Sequence, residues 1–540
     1  MSEKFKFEYN APTEKERKEI ESIRNQYLPK DEKNQKFEEL KKLDHKVKNI
    51  PIIFAISLGV IGTLIFGLGL TFFLEWIELF AFGIPCAIVG LILVILAYPL
   101  YVKISIKLKN KYRDEIINLS NALLNKWLEQ LIICFYIEIY YIISYNYIKE
   151  SWGIYMILIK NANLISMEEI NYEICDILIE GKIISKIGKL DEKDYSNAKV
   201  IDAEGKYVTP GLVDPHCHVG LMESTIGWAG SDVNEATNPI TPELRGIDGI
   251  KPHDECFKEA LESGVTTVCL GPGSANLIGG TFAAIKTKGN TVDEMILVPE
   301  LAMKMALGEN PKRVYGNSKT SPQTRMASAA LIREWLFKAK NYYDKKQEAF
   351  KDPENNKAPE FNMKLESLSR VFDGLPVKLH AHQADDIATA MRIKREFNLN
   401  MTIEHCTEGY LIAEALKENN QMVIIGPTMH NKSKYELKAK SFDSGRILYE
   451  NGVLFSIMTD HPVIEQKHTL IQVALFVKAG LPKFEALKAV TINAAKTCFI
   501  DHLVGSIKEG KHADIVIWSK DPLDIMADAE TVILNGQIEK

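Results

Sequence analysis

Short apolar runs in this chain repeatedly end in a polar, metal-competent side chain, with helix-forming stretches between them. The first is Val208-Thr-Pro-Gly-Leu-Val-Asp-Pro-His216-Cys-His218. Pro376-Val-Lys-Leu-His380-Ala-His382, Met401-Thr-Ile-Glu-His405 and Leu454-Phe-Ser-Ile-Met-Thr-Asp460-His461 follow. Asp385 to Phe397, Gly409 to Glu418 and Leu470 to Ala479 read as helices. Strands alternating with helices of this length indicate parallel βαβ units. Polar residues gathered at the C-terminal ends of several strands are what a TIM-type (β/α)8 barrel provides. A doubly wound sheet would not converge residues from so many strand ends on one point.

His216 and His218 sit two apart in a strand, so both imidazoles face one side while Cys217 faces the other. Two imidazoles at one strand end are half of a site for a zinc-class ion. Chance proximity in a loop is the competing reading. The Thr-Pro-Gly turn and the strand-like Leu212-Val213 before the pair weigh against it.

From about residue 156 to residue 540 the chain resembles the amidohydrolase superfamily, nearest to its imidazolonepropionase-like branch. The resemblance rests on Gly-Leu-Val-Asp-Pro-His216-Cys-His218, Leu-His380-Ala-His382, Glu-His405-Cys and Thr-Asp460-His461-Pro. The flanks agree: Ile157 to Leu164 and Asp176 to Ile184 resemble a small β-domain before the barrel, and Gly510 to Trp518 with Val532 to Gly536 resemble strands returning to it. The resemblance implies a barrel over 208–502 and a small β-sandwich domain built from 156–207 and 503–540. It also implies one or two divalent ions, zinc first among them, on His216, His218, His380, His405 and Asp460. Which of His380 and His382 binds metal is left open by spacing, and the family favours His380.

Such an ion acidifies a coordinated water from a pKa of about 15.7 to about 7 and polarises a carbonyl. Asp460 would move the proton to the departing nitrogen, and His405 or His382 would stabilise the oxyanion. Two-metal relatives use a carboxylated lysine as a bridge, for which Lys304 is the candidate, against the plainer reading of a snorkelling side chain. Glu309 is the lesser candidate. One-metal relatives carry a glutamate three residues after the fifth-strand histidine. Gln383 stands there and cannot shuttle protons, so His382 and Gln383 become substrate-binding candidates with His430 and Asn276. The Gly271 to Gly280 stretch lacks the Lys-Ser/Thr of a nucleotide loop and reads as a pocket-lining loop.

The net charge of −6 and a pI of about 6.1 give no indication of nucleic-acid binding. The eight cysteines are scattered, which suits a reducing compartment and opposes both a disulfide framework and a cysteine zinc site. Residues 310–373 form a long connection, with Arg325 to Phe350 helix-prone; a lid, an oligomer contact or a solvated insertion all suit it. The expected partners are a small-molecule substrate and further copies of the chain.

The first 155 residues belong to another class. Residues 1–49 are charged and helix-prone, and 50–101 hold two apolar runs, Pro51 to Leu74 and Leu79 to Leu100, each long enough to cross a bilayer. Lysines and arginine flank both outer ends and none lies in the turn, so both ends are expected on the cytoplasmic side. Residues 102–155 comprise a basic helix and an Ile/Tyr-rich segment, Leu131 to Ile148, of the composition that translated A/T-rich spacer would have. Met156 opens an enzyme-like segment, so two adjacent reading frames are expected to be joined, with a natural membrane tether as the alternative. An immunoblot showing a single 60.9 kDa band in native membranes would exclude the joined-frame reading. Across the chain, a metal-dependent hydrolase of a non-peptide or cyclic C–N bond leads. A dipeptidase of the same fold, an inactive assembly relative and a membrane scaffold follow.

Overall fold

The computed structural model describes residues 32–74, 80–123, 155–168, 173–224, 227–353 and 355–540. The Leu131 to Ile148 segment and most of the charged N-terminal stretch lie outside the described residues. The chain divides into two compact units, Met1–Gly153 and Ile154–Lys540.

The first unit is a hairpin of α1 (Glu32–Leu74) and α2 (Phe80–Leu123). Lys41–Thr71 and Gly83–Arg113, each holding an 18-residue stretch of mean hydropathy 2.4, are long and apolar enough to cross a membrane by length and composition. Ile53, Leu64 and Ile95 point outward, each more than 60% exposed. The facing sides carry glycine: a Cβ on Gly69 would stand 2.3 Å from Ala87 N, and one on Gly90 2.3 Å from Phe66 N. Backbone approach through small residues is how apolar helices associate where burial of hydrocarbon supplies no drive.

In the second unit, β1 (Met156–Leu164), β2 (Glu173–Glu180), β3 (Ile183–Gly188), β4 (Lys199–Asp202) and β5 (Tyr207–Pro210) precede the barrel. Along one edge, β1 pairs first with β4 through Ile157–Lys160 and then with β5 through Asn163 and Leu164. An irregularity in the β1–β2 pairing between Ile159 and Ala162 falls where β1 changes partner. Ile157, Ile159, Ile177, Ile179 and Ile184 form a buried cluster on these strands.

The barrel strands are β6 (Leu212–Cys217), β7 (Val265–Leu270), β8 (Ile278–Lys286), β9 (Ile296–Ala306), β10 (Val377–Ala381), β11 (Met401–His405), β12 (Val423–Ile425) and β13 (Phe455–Ile457). They form an eight-stranded sheet in sequence order. β14 (Ile515–Trp518), β15 (Ala529–Leu534) and β16 (Gln537–Ile538) return to the small domain, with β14 antiparallel to β5. Asp460 N donates to His216 O at 3.1 Å and His218 N to His461 O at 2.9 Å, joining the ends of the first and last barrel strands. This is the expected TIM-type architecture with one departure: β8 runs antiparallel to both β7 and β9. The link from β7 to β8 is the Gly271 to Leu277 loop, too short for the helical crossover a parallel pair needs.

Around the strands lie α3 (Glu255–Glu262), α4 (Glu309–Asn317), α5 (Arg325–Lys351) and α6 (Ala384–Phe397), among others. α5 begins at Thr324, whose side chain caps Ala327 N, and buries Ser328, Ala329, Ile332, Leu336, Ala339 and Tyr342 at helical spacing. Ile332 and Leu336 alone contribute about 1.5–3 kcal/mol each by leaving water. Phe337 packs edge-on against Phe397 of α6 at 4.8 Å, so the long connection supplies part of the barrel wall.

Candidate metal centre

Period-two alternation sends Asp214, His216 and His218 to the barrel interior from β6 and the residue beyond it. Asp214 accepts from the Thr459 hydroxyl and, at 3.3 Å, from Gln466 Nε2, tying the first strand to the last. Burial, opposed by the bonds from Thr459 and from the His216 N–H, pushes its carboxyl up to about 6. His380 and His382 arrive the same way from β10. His405 does not. It follows Glu404 directly, and strict alternation would turn one of them outward. Instead His405 (φ 67°) and Cys406 (φ 43°) are left-handed, as is Asp460 (φ 53°). Such conformations cost about 1–3 kcal/mol each and here turn strand-end side chains into the barrel mouth.

The ring orientations are set by acceptors behind them. His218 Nδ1 lies 2.8 Å from Gly271 O and His405 Nδ1 3.1 Å from Gly426 O. A carbonyl can only accept, so both rings carry the proton on Nδ1 and present Nε2 inward. His216 Nε2 and His218 Nε2 each stand 3.3 Å from Asp460 Oδ1. Donor atoms of His216, His405 and Asp460 lie within 4.8 Å of one another, as do those of His380, His382 and His405. Bonds of about 2.0–2.2 Å to one tetrahedral ion place its ligands roughly 3.3–3.5 Å apart, so the donor set fits a zinc-class ion. Burial pushes His380 down to about 4 and holds His382 and His405 well below the ordinary histidine range, leaving their lone pairs free at neutral pH. Burial opposes ionisation of Asp460, but the adjoining His216, His218 and His405 rings outweigh it and keep the carboxylate charged.

A buried charged layer lies beneath. Glu404 is fully enclosed and pairs with Lys304 through Oε2 and with Lys378 through Oε1 at 2.8 Å; His216 Nδ1 is 2.9 Å from Oε2. Phe282 of β8 is an aromatic neighbour, its ring centre 5.1 Å from Lys304 Nζ and 5.6 Å from Lys378 Nζ. Burial resists the charge on Glu404, and the His216, Lys304 and Lys378 neighbours overcome it.

A cavity of about 400 Å³ opens over the site, lined by His216, His218, Lys304, His380, His382, His405 and Asp460. His430 also lines it, exposed at the rim. Asn276 lies instead in an adjoining recess of about 800 Å³, held between Thr241 Oγ1 and the Tyr315 hydroxyl. Gln383 stands at the start of α6 and does not line this cavity; its Oε1 accepts from Arg325. Glu309 opens α4 and offers its backbone N–H to Glu436 Oε2 at 2.9 Å. Sequence reasoning passed over Glu404, Lys378, Glu436 and Lys434. Lys378 shares a face with His380 and was open to the same alternation argument; the two glutamates carried no such signal.

The amidohydrolase family model matches residues 207–539. A solved amidohydrolase from Thermotoga maritima is 39% identical with a TM-score of 0.68, covering 71% of this chain and 99% of that one. Amidohydrolase tasK of Hapsidospora irregularis is 30% identical over 388 residues, 67% of this chain; the chain spans only 39% of that relative's length. The imidazolonepropionase of Brevibacillus brevis is 26% identical over 411 residues, covering 67% of this chain and 89% of that one. With the barrel, the strand-end imidazoles and Asp460, these likenesses place the chain in the amidohydrolase family, in its imidazolonepropionase-like branch.

Proposed function

We propose that residues 208–502 form a metal-dependent hydrolase acting on the C–N bond of a small amide, cyclic amide or amidine. The observation carrying this is the convergence of imidazole nitrogens on Asp460 at the strand ends, with the Nδ1 atoms of His218 and His405 engaged behind them. His216, His218, His380, His405 and Asp460 would hold the ion, zinc by donor type; Lys304, the bridging candidate by sequence, is ion-paired with Glu404 instead. When bound, the ion supplies Lewis acidity toward a water and a substrate carbonyl.

The chain's own groups do the rest. Asp460, charged at neutral pH, takes a proton from the attacking water and delivers it to the departing nitrogen. With a single ion bound, His382, anchored by Thr407 Oγ1 at 2.7 Å, holds the substrate oxygen as it gains charge. His430 at the rim contacts the outer part of the substrate. The small domain of 156–207 and 503–540 buttresses the barrel, and the hairpin within 50–101 anchors the enzyme to a membrane with the barrel on its cytoplasmic side. Further copies of the chain are its proposed partners.

The test is a panel of lactams, hydantoins, N-acyl amino acids, dipeptides and amino-substituted rings offered to the zinc-loaded full chain. Turnover of a non-peptide C–N bond that Asp460→Asn abolishes supports the proposal. Turnover confined to dipeptides, or unaffected by that substitution, refutes it.

A further inference from the structure

We propose that Glu436 is a metal ligand and forms, with His380 and His382, a second cation position beside that at His216, His218 and Asp460. This rests on the metal-dependent reading above. Glu436 lies in the polar loop after β12 yet is completely buried. Its Oε2 is fixed by the Glu309 N–H at 2.9 Å. Gly308 (φ 89°) makes room for it, since a Cβ there would stand 2.8 Å from Oε2. The other oxygen, Oε1, is thereby aimed inward, 3.5 Å from His382 Nε2 and 3.9 Å from His380 Nε2.

None of these three atoms has a hydrogen-bond partner, although each is removed from solvent. Leaving buried polar atoms unsatisfied is costly, and protein structures avoid it unless a ligand completes them. The two imidazoles and the Lys434 ammonium face the carboxylate oxygen Oε1, and only the ammonium brings a positive charge to it. Bonds of about 2.0–2.2 Å to one ion would draw the two Nε2 atoms, now 3.5 and 3.9 Å from Oε1, to roughly 3.3–3.5 Å from it.

One side chain supplies a cation at this place already. Lys434 Nζ stands 2.7 Å from Glu436 Oε1, outside hydrogen-bond alignment, and also contacts Asn310 Oδ1 at 3.1 Å. An arriving ion displaces the ammonium toward Asn310. Lys304, meanwhile, is committed to Glu404. The second ion then takes its anionic ligand from the loop after the seventh barrel strand, and no lysine modification is required.

The experiment measures metal content of the full chain in detergent after dialysis against Co²⁺, with the Co²⁺ absorption spectrum as a second readout. Wild type and Lys304→Met are expected to retain about two ions. Glu436→Gln, close in shape and able to keep the Glu309 contact, retains about one and loses part of the spectrum. Lys434→Met binds the second ion about tenfold more tightly or better, a gain that misfolding cannot produce. A Glu436→Gln protein with wild-type content and spectrum overturns the assignment, as does Lys434→Met binding no more tightly than wild type. A wild type that binds no divalent ion at all defeats the hydrolase proposal as well, which separates the two failures.

Discussion

Replacing Glu404 with glutamine removes the single negative charge between two enclosed ammonium groups and changes little else in volume. Lys304 and Lys378 are 0% and 1% exposed, so water cannot take over from the lost carboxylate. Removing one partner of a buried ion pair costs about 3–5 kcal/mol, because the remaining charge stays desolvated. At roughly 2.1 cal/mol/K of unfolding entropy per residue, a unit the size of Ile154–Lys540 loses about 1.2 °C for each kcal/mol. The melting temperature should therefore fall by about 4–6 °C in scanning calorimetry of the metal-stripped protein. Adding Lys378→Met removes one stranded ammonium, so the double variant should recover at least about 1 kcal/mol relative to the sum of the singles. A Glu404→Gln protein melting within about 1 °C of wild type, or a strictly additive double variant, would refute the reasoning.

Other outcomes follow from the same geometry. His380 is pushed by burial from 6.5 down to about 4; the unfolded chain gains this proton as pH falls through 6.5 while the folded protein does not. Through His380 alone the metal-stripped protein should thus lose up to about 3 kcal/mol between pH 6.5 and pH 4, His382 and His405 adding loss of the same sign, and His380→Asn should make that part of the stability profile shallower. Asp460→Asn should lower kcat by about two to four orders of magnitude while circular dichroism is unchanged. In the hairpin, Gly90→Leu must separate the helices, since even a Cβ meets Phe66 N at 2.3 Å; a loss of about 1–3 kcal/mol in detergent unfolding is expected.

How much of this was legible depended on whether a rule of fixed period applied. The alternation of a strand is exact over a few residues, so the inward facing of His216 and His218 could be read directly. Lys378 obeyed the same rule and was simply not followed back from His380. Glu404 and His405 defeat the rule, because adjacent residues share the interior only when the backbone turns left-handed, and nothing in Ile-Glu-His-Cys announces φ 67°. The antiparallel β8 was hidden likewise: Gly271 to Gly280 reads as a loop, and only the absence of a helix after it shows that the chain doubles back. Glu436 sits among Ser433-Lys434-Tyr435, a stretch that composition alone assigns to solvent. Its burial is a tertiary fact, created where that loop folds down against Gly308 and the first turn of α4.

The central claim is that the imidazoles and Asp460 work as a metal-dependent hydrolytic centre. It is tested most directly by stripping the purified full chain with a chelator and following hydrolysis of its best substrate as zinc is returned. Turnover should be lost on stripping and recover to saturation at one or two zinc ions per chain, with no recovery in Asp460→Asn. Turnover that survives complete removal of metal, or zinc uptake that restores none of it, would contradict it.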